Sequence, residues 1–267
     1  MFKGPDFLCV GAQKAGTTWL YHHLKAHPQI WMPPIKELHY FDQRYIPETR
    51  SWAGDARRGK IEQAIKQIER LSDSKNFEAK LKVAKIIQNF TETDEWYSSI
   101  FQCAPLGTVS GEITPEYSLL KKPQIIDLKK KFGLKKVMMV LRCPLDRAIS
   151  EVRMLLRVGL VETYEEALHP SWNVVEKSSY HVIHDSWNTA LNSDCLQLIS
   201  YDRLATQPLY FLEDVCEFLE VDFHPNYFRD IDRVVFPGNS ESIPERVRTA
   251  LKERISGKAF DLYQSAN

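Results

Sequence analysis

Apolar and polar positions along the chain follow two alternating periods. The short apolar run Phe7-Leu8-Cys9-Val10 predicts a buried parallel strand, and Thr108 to Gly111, Lys136 to Leu141 and Leu196 to Tyr201 are the further strand candidates. Between them, helical spacing predicts helices at about 17–27, 145–158, 163–168, 178–193 and 208–219. Pro28 marks the end of the first helix and Pro144 the start of the second. Strands separated by helices imply an α/β fold with a central parallel sheet flanked by helices.

One segment departs from this alternation. Between about 51 and 95, Ile61, Ile65, Ile68 and Leu71 fall on one helical face, and Phe77, Leu81, Ala84 and Ile87 on another. The pattern predicts a helical insertion that covers one edge of the core or walls an acceptor pocket.

A length of 267 residues suits a single domain over 1–267 carrying that insertion. The 35 basic and 35 acidic residues cancel, which gives no support to nucleic-acid binding through a phosphate footprint. No apolar run has the length of a membrane span, and the first residues lack the apolar core of a signal peptide. Five scattered cysteines read as reduced core thiols, so a cytoplasmic setting is expected. Composition leaves the oligomeric state open.

The first strand runs into Gly11-Ala12-Gln13-Lys14-Ala15-Gly16-Thr17-Thr18, which has the glycine frame of a phosphate-binding loop. A triphosphatase loop reads G-x-x-x-x-G-K-S/T, with its lysine reaching the β- and γ-phosphates. Here Thr17 takes that position and Lys14 lies inside the loop. Its ammonium is expected near the phosphate closest to the nucleoside, beside a leaving oxygen. The Ala15 and Gly16 amides, the helix N-terminus and the Thr17 and Thr18 hydroxyls complete the expected anion site.

A second grip is expected where Val137 to Leu141 leads into Arg142-Cys143-Pro144-Leu145-Asp146-Arg147-Ala148-Ile149-Ser150. Arg142 at a strand's carboxyl end can hold a phosphate bidentately, and Ser150 adds a hydroxyl from the following helix. Arg147 is expected to pair with Asp146 or Glu151 on the surface.

These two motifs, with Lys36-Glu37-Leu38-His39-Tyr40-Phe41-Asp42 between them, resemble the sulfotransferase family, whose donor is 3′-phosphoadenosine 5′-phosphosulfate (PAPS). The likeness runs from Phe7 to about Glu220, and the Lys36–Asp42 segment is most similar to glycosaminoglycan sulfotransferases and their bacterial relatives. The resemblance implies that Lys14, Gly16, Thr17 and Thr18 hold the 5′-phosphosulfate, and Arg142 and Ser150 the 3′-phosphate. It makes Glu37 the candidate general base, with His39 as the alternative, and Lys14 the group that offsets charge on the departing phosphate. Lys36, His39 and Asp42 are implied around the acceptor, with Glu112 and Thr114 of Glu112-Ile113-Thr114-Pro115-Glu116-Tyr117 lining the cleft. A glycan or small-molecule alcohol is the expected acceptor, with Trp96, Tyr97, Trp172 and Trp187 as stacking faces. The chemistry requires no metal, and 3′-phosphoadenosine 5′-phosphate (PAP) is the by-product.

Family members often close the donor site with a basic Lys-Gly loop, where this chain has Phe236 to Ser242 with only an acidic charge. Two other readings compete: a P-loop nucleotide kinase or triphosphatase, opposed by Thr17, and a catalytically silent nucleotide-binding module, opposed by retention of Lys14 and Glu37.

Overall fold

The computed structural model describes residues 1–71, 76–191, 193–231 and 242–266. Five parallel strands form a sheet of order β2-β3-β1-β4-β5: β1 (Phe7–Cys9), β2 (Ile30–Trp31), β3 (Val109–Ile113), β4 (Lys136–Leu141) and β5 (Leu196–Ser200). Phe7, Leu8 and Cys9 are fully buried at its centre, as the uninterrupted apolar run requires. Gly111 is needed here because a Cβ on it would meet the Phe7 ring at 1.9 Å.

Helices follow the strands: α1 (Thr17–Ala26), α2 (Phe41–Tyr45), α3 (Ala53–Glu69), α4 (Phe77–Gln88), α5 (Asp94–Phe101), α6 (Lys122–Phe132) and α7 (Pro144–Arg157). They continue with α8 (Tyr164–Ala167), α9 (Tyr180–Ala190), α10 (Tyr201–Thr206), α11 (Pro208–Leu219), α12 (Glu245–Arg254) and α13 (Gly257–Ser265). The expected strands and helices are all present, their ends displaced by at most three residues. β2, α2, α5, α6, α10, α12 and α13 lie outside the sequence assignments. β2 is only two residues long and is followed by Pro33-Pro34, and α6 is a lysine-rich helix whose apolar face is limited to Ile125, Leu128 and Phe132.

The expected insertion consists of α3 and α4, packed on each other. Ile61, Ala84 and Ile87 are buried as the stripes require, while Leu71 lies beyond the end of α3 and is 61 % exposed. The expected departure at Phe236 to Ser242 falls on residues 236–241, outside the described residues. No described helix is long and apolar enough to cross a membrane.

The topology brings the motif-bearing loops together. β1 pairs with β3 on one side and β4 on the other, with Cys9 opposite both Ile113 and Met138. The carboxyl ends of three adjacent strands thus carry the Lys14 loop, Thr114 and Arg142. The chain reverses its direction of travel across the sheet at β1, the place where open parallel sheets form ligand crevices.

Candidate active site

The Lys14 loop is fastened to the sheet beneath it. Val10 N–H donates to the Met138 carbonyl at 3.0 Å and Ala12 N–H to the Val140 carbonyl at 2.8 Å. Lys14 and Gly16 adopt left-handed backbone, with φ of 67° and 78°, so the loop turns sharply into α1. At Gly16 a Cβ would also approach Leu204 Cδ1 to 2.9 Å, which reserves the position for glycine. Thr17 is buried and Thr18 half-buried in the first turn of α1.

Arg142 meets this loop directly. Its Nη1 donates to the Lys14 carbonyl at 3.0 Å, its guanidinium lies 4.9 Å from the Tyr201 ring centre, and its own carbonyl accepts from Tyr180 Oη at 2.8 Å. Ser150 is half-buried on α7. Burial lowers the Lys14 pKa below the usual lysine value, and the positive fields of Arg157, Arg142 and Lys36 lower it further against an opposing pull from Glu151. A buried lysine within the fields of other cations forms a site suited to an anion.

Lys36 bridges this cluster to Glu37. It contacts Glu37 Oε1, while Lys60 of α3 contacts Oε2. Burial raises the Glu37 pKa, but the charges of Lys36, Lys60 and His39 outweigh it and hold the carboxyl well below its ordinary range. Glu37 is therefore ionised, with a lysine on each oxygen. The Glu37 N–H donates to the Ile113 carbonyl at 3.0 Å, which ties this loop to the end of β3.

His39 Nδ1 lies 2.8 Å from Asp42 Oδ2, and its Nε2 is 3.8 Å from Glu37 Oε2. A carboxylate partner at Nδ1 places the ring proton there and leaves Nε2 facing Glu37. Asp42, expected around the acceptor, is fully buried and is in contact with His39.

Glu112 and Thr114, expected to line the cleft, are also buried. Glu112 and Thr114 are 1 % and 0 % exposed, and Glu112 accepts hydrogen bonds from Thr114 Oγ1 at 2.7 Å, Tyr117 Oη at 2.8 Å and Tyr97 Oη. Burial pushes the Glu112 pKa up against these donors. Tyr117 Oη in turn accepts the Tyr40 N–H at 3.2 Å, so this buried group supports the Glu37–Asp42 loop from below. Tyr97 and Trp187 are fully buried, Trp96 is buried, and Trp172 is half-buried.

The Arg147–Glu151 pair, expected on the surface, is fully buried, and sequence reasoning missed the ionic network it joins behind the loop. Lys177 Nζ donates to Gln13 Oε1 at 3.2 Å, Glu116 Oε1 at 3.0 Å and Glu151 Oε1 at 2.8 Å. Arg147 is completely buried, pairing with Glu151 at 2.5 Å and donating to Ser178 Oγ at 2.6 Å. Two cations and two carboxylates thus balance, and the network ties Gln13, next to Lys14, to α7. No local pattern marks Lys177, since its partners lie 26, 61 and 164 residues away. Arg57 and Lys60 were also missed, although their spacing on α3 puts both on the face that carries Ile61 and Ala64.

A separate cavity of about 590 Å³, lined by Leu81, Lys85, Ile86 and Trp96, lies between α4 and α5 and contains none of the charged groups around Lys14 and Glu37.

Known proteins share this fold. A model described as "Sulfotransferase family" matches residues 5–225. The fold is similar to a sulfotransferase from Alicyclobacillus acidocaldarius, at TM-score 0.66 and 20 % identity over 97 % of this chain and 96 % of that one. It is also similar to the sulfotransferase domain from the curacin biosynthetic pathway, at TM-score 0.57 and 17 % identity over 100 % and 93 %. The sulfotransferase domain of the Synechococcus PCC 7002 olefin synthase aligns at TM-score 0.53 and 17 % identity over 94 % of each chain. No curated protein sequence matches the chain significantly. With the family model spanning most of its length, including the Lys14, Glu37 and Arg142 motifs, the chain belongs to the sulfotransferase family.

Proposed function

We propose that the protein moves a sulfuryl group from PAPS to a hydroxyl or amino group, with a carbohydrate as the acceptor class. The observation that carries this reading is the position of Lys36, which contacts the Glu37 carboxylate and whose charge also acts on Lys14. The proposed proton acceptor and leaving-group cation thus both lie within the field of Lys36, a placement that suits in-line transfer.

The donor supplies an activated sulfonate whose departing oxygen belongs to the 5′-phosphate. Lys14, the amides of Ala15 and Gly16, and the Thr17 and Thr18 hydroxyls would hold that phosphate and offset its growing charge. Arg142 and Ser150 would hold the 3′-phosphate, Arg142 keeping its bond to the Lys14 carbonyl. Glu37 would take the acceptor's proton as the bond to sulfur forms. Its carboxylate is ionised but clasped by two lysines, so its basicity rises when Lys36 turns toward the donor's negative charge. His39, held by Asp42, would fix the Glu37 side chain and line the acceptor pocket beside Lys36.

The carbohydrate assignment rests on the likeness of Lys36 to Asp42 to the corresponding segment of glycosaminoglycan sulfotransferases; a small-molecule alcohol is the competing class. Incubation with sulfur-labelled PAPS and a panel of amino sugars, oligosaccharides and alcohols tests the reading. Label should move to an acceptor with release of PAP, and not in a Glu37→Gln control. Label retained in the donor across the panel, or equal transfer by the control, would contradict it.

A further inference from the structure

Helix α3 contributes more than cover to this site. Arg57 is 3 % exposed, yet no carboxylate lies within ion-pair distance of it among the described residues. Its Nη1 donates to the Leu38 carbonyl at 3.0 Å, the His39 carbonyl at 3.1 Å and Gln43 Oε1 at 2.9 Å, and its guanidinium lies 3.5 Å from the Phe90 ring centre. Burying a cation without a formal counter-ion is costly. Two of the contacts that offset this cost, to the Leu38 and His39 carbonyls, lie in one short turn in which Glu37 and His39 both have positive φ, 68° and 51°. Non-glycine residues rarely adopt that conformation, and two in three positions need external support. One helical turn further along the same face, Lys60 reaches Glu37 Oε2.

We propose that Arg57 and Lys60 are positioning residues of the transfer reaction: Arg57 holds the Glu37–His39 turn in its reactive shape, and Lys60 pins the second oxygen of Glu37. The inference rests on the assignment of Glu37 as base. The groups facing Glu37 are Lys36 and His39 from its own loop and Lys60 from α3, with Lys14 beyond Lys36. When Lys36 turns to the donor, Lys60 remains to keep Oε2 fixed and Oε1 directed at the acceptor. The helical insertion is then a working wall of the site, and its displacement uncouples the base from the donor loop without disturbing either phosphate grip.

Arg57→Met, Arg57→Lys, Lys60→Met and the parent protein, each at full length, test this. PAP affinity is read by calorimetry, PAPS consumption with water as acceptor by PAP release, and Glu37 ionisation by carboxyl ¹³C NMR, assigned with Glu37→Gln. PAP affinity should stay within about twofold, since neither residue touches the phosphate loops. Arg57→Met should slow PAPS consumption roughly 100-fold, with partial recovery in Arg57→Lys. Lys60 is partly exposed, so its variant should fold, and loss of its charge should move the Glu37 titration and the acid limb of the rate profile upward together. An unmoved Glu37 titration in Lys60→Met, or parental turnover in Arg57→Met, would overturn the proposal. Failure of the parent to bind PAP would instead count against the sulfuryl-transfer reading, while the NMR comparison would still decide whether Lys60 governs Glu37.

Discussion

Arg142 Nη1 donates a 3.0 Å hydrogen bond to the Lys14 carbonyl across the seam where β4 pairs with β1. The two expected phosphate grips are therefore mechanically joined, and a change at one is felt at the other. Arg142→Ala should weaken PAP binding by about 10- to 100-fold, the scale of a lost charge-assisted hydrogen bond. Lys14→Ala should act mainly on the transfer rate, by on the order of 10²- to 10³-fold. Binding and kinetic constants of the two variants, measured side by side, check the division; parental values in both would remove it.

Glu37→Gln preserves shape and removes the proton acceptor. Donor affinity should persist and transfer should fall by roughly 10²- to 10⁴-fold. Loss of PAP binding in this variant would make Glu37 a structural residue.

The depressed Lys14 pKa gives binding a pH signature. An anion beside Lys14 favours its charged form, so PAP affinity should fall as pH rises through the Lys14 titration, which lies below the usual lysine value. Binding in that range should take up a proton, visible as a calorimetric enthalpy that varies with buffer ionisation heat. A buffer-independent enthalpy there would place the anion elsewhere.

The buried network should dominate acid sensitivity. Burial raises the Glu151 pKa, but Lys177 and Arg147 more than reverse this and leave it depressed. A carboxyl held below its unfolded value stabilises fully above about pH 4.3 and loses that contribution as pH falls through its folded pKa. Glu151→Gln leaves two buried cations short of a partner and should cost about 3–5 kcal/mol at pH 7, with the gap to the parent narrowing below about pH 4. Denaturant titrations at pH 7, 5 and 3 measure the gap; a constant gap would contradict this account.

Tyr117→Phe tests support for the base-bearing loop from below. It deletes the acceptor of the Tyr40 N–H and one donor to Glu112, so it should cost about 1–3 kcal/mol. Thermal melts with and without PAP check it, and an unchanged melting temperature would show that the loop stands without this bond.

The sheet and the positions of Lys14 and Arg142 at its strand ends were legible because each is encoded locally: the run Phe7–Val10, the glycine frame around Lys14, and Arg142 at the end of an apolar strand. Buried roles were harder to read. Glu112, Thr114 and Asp42 look like cleft residues by type and neighbourhood, yet each is held by another residue of the fold. Lys177 and Arg57 owe their roles to partners far along the chain, a relation that neither period nor spacing records. Lys60 is intermediate, since its helical face was predictable but its contact with Glu37 depends on how α3 packs on the loop.

The most direct test of the central claim is calorimetry of adenosine 3′,5′-bisphosphate against ATP and AMP, each with and without Mg²⁺. Tight, metal-independent binding of the bisphosphate in preference to the others is the predicted result. Preference for ATP with Mg²⁺ would contradict the account, and so would an absence of binding by all three.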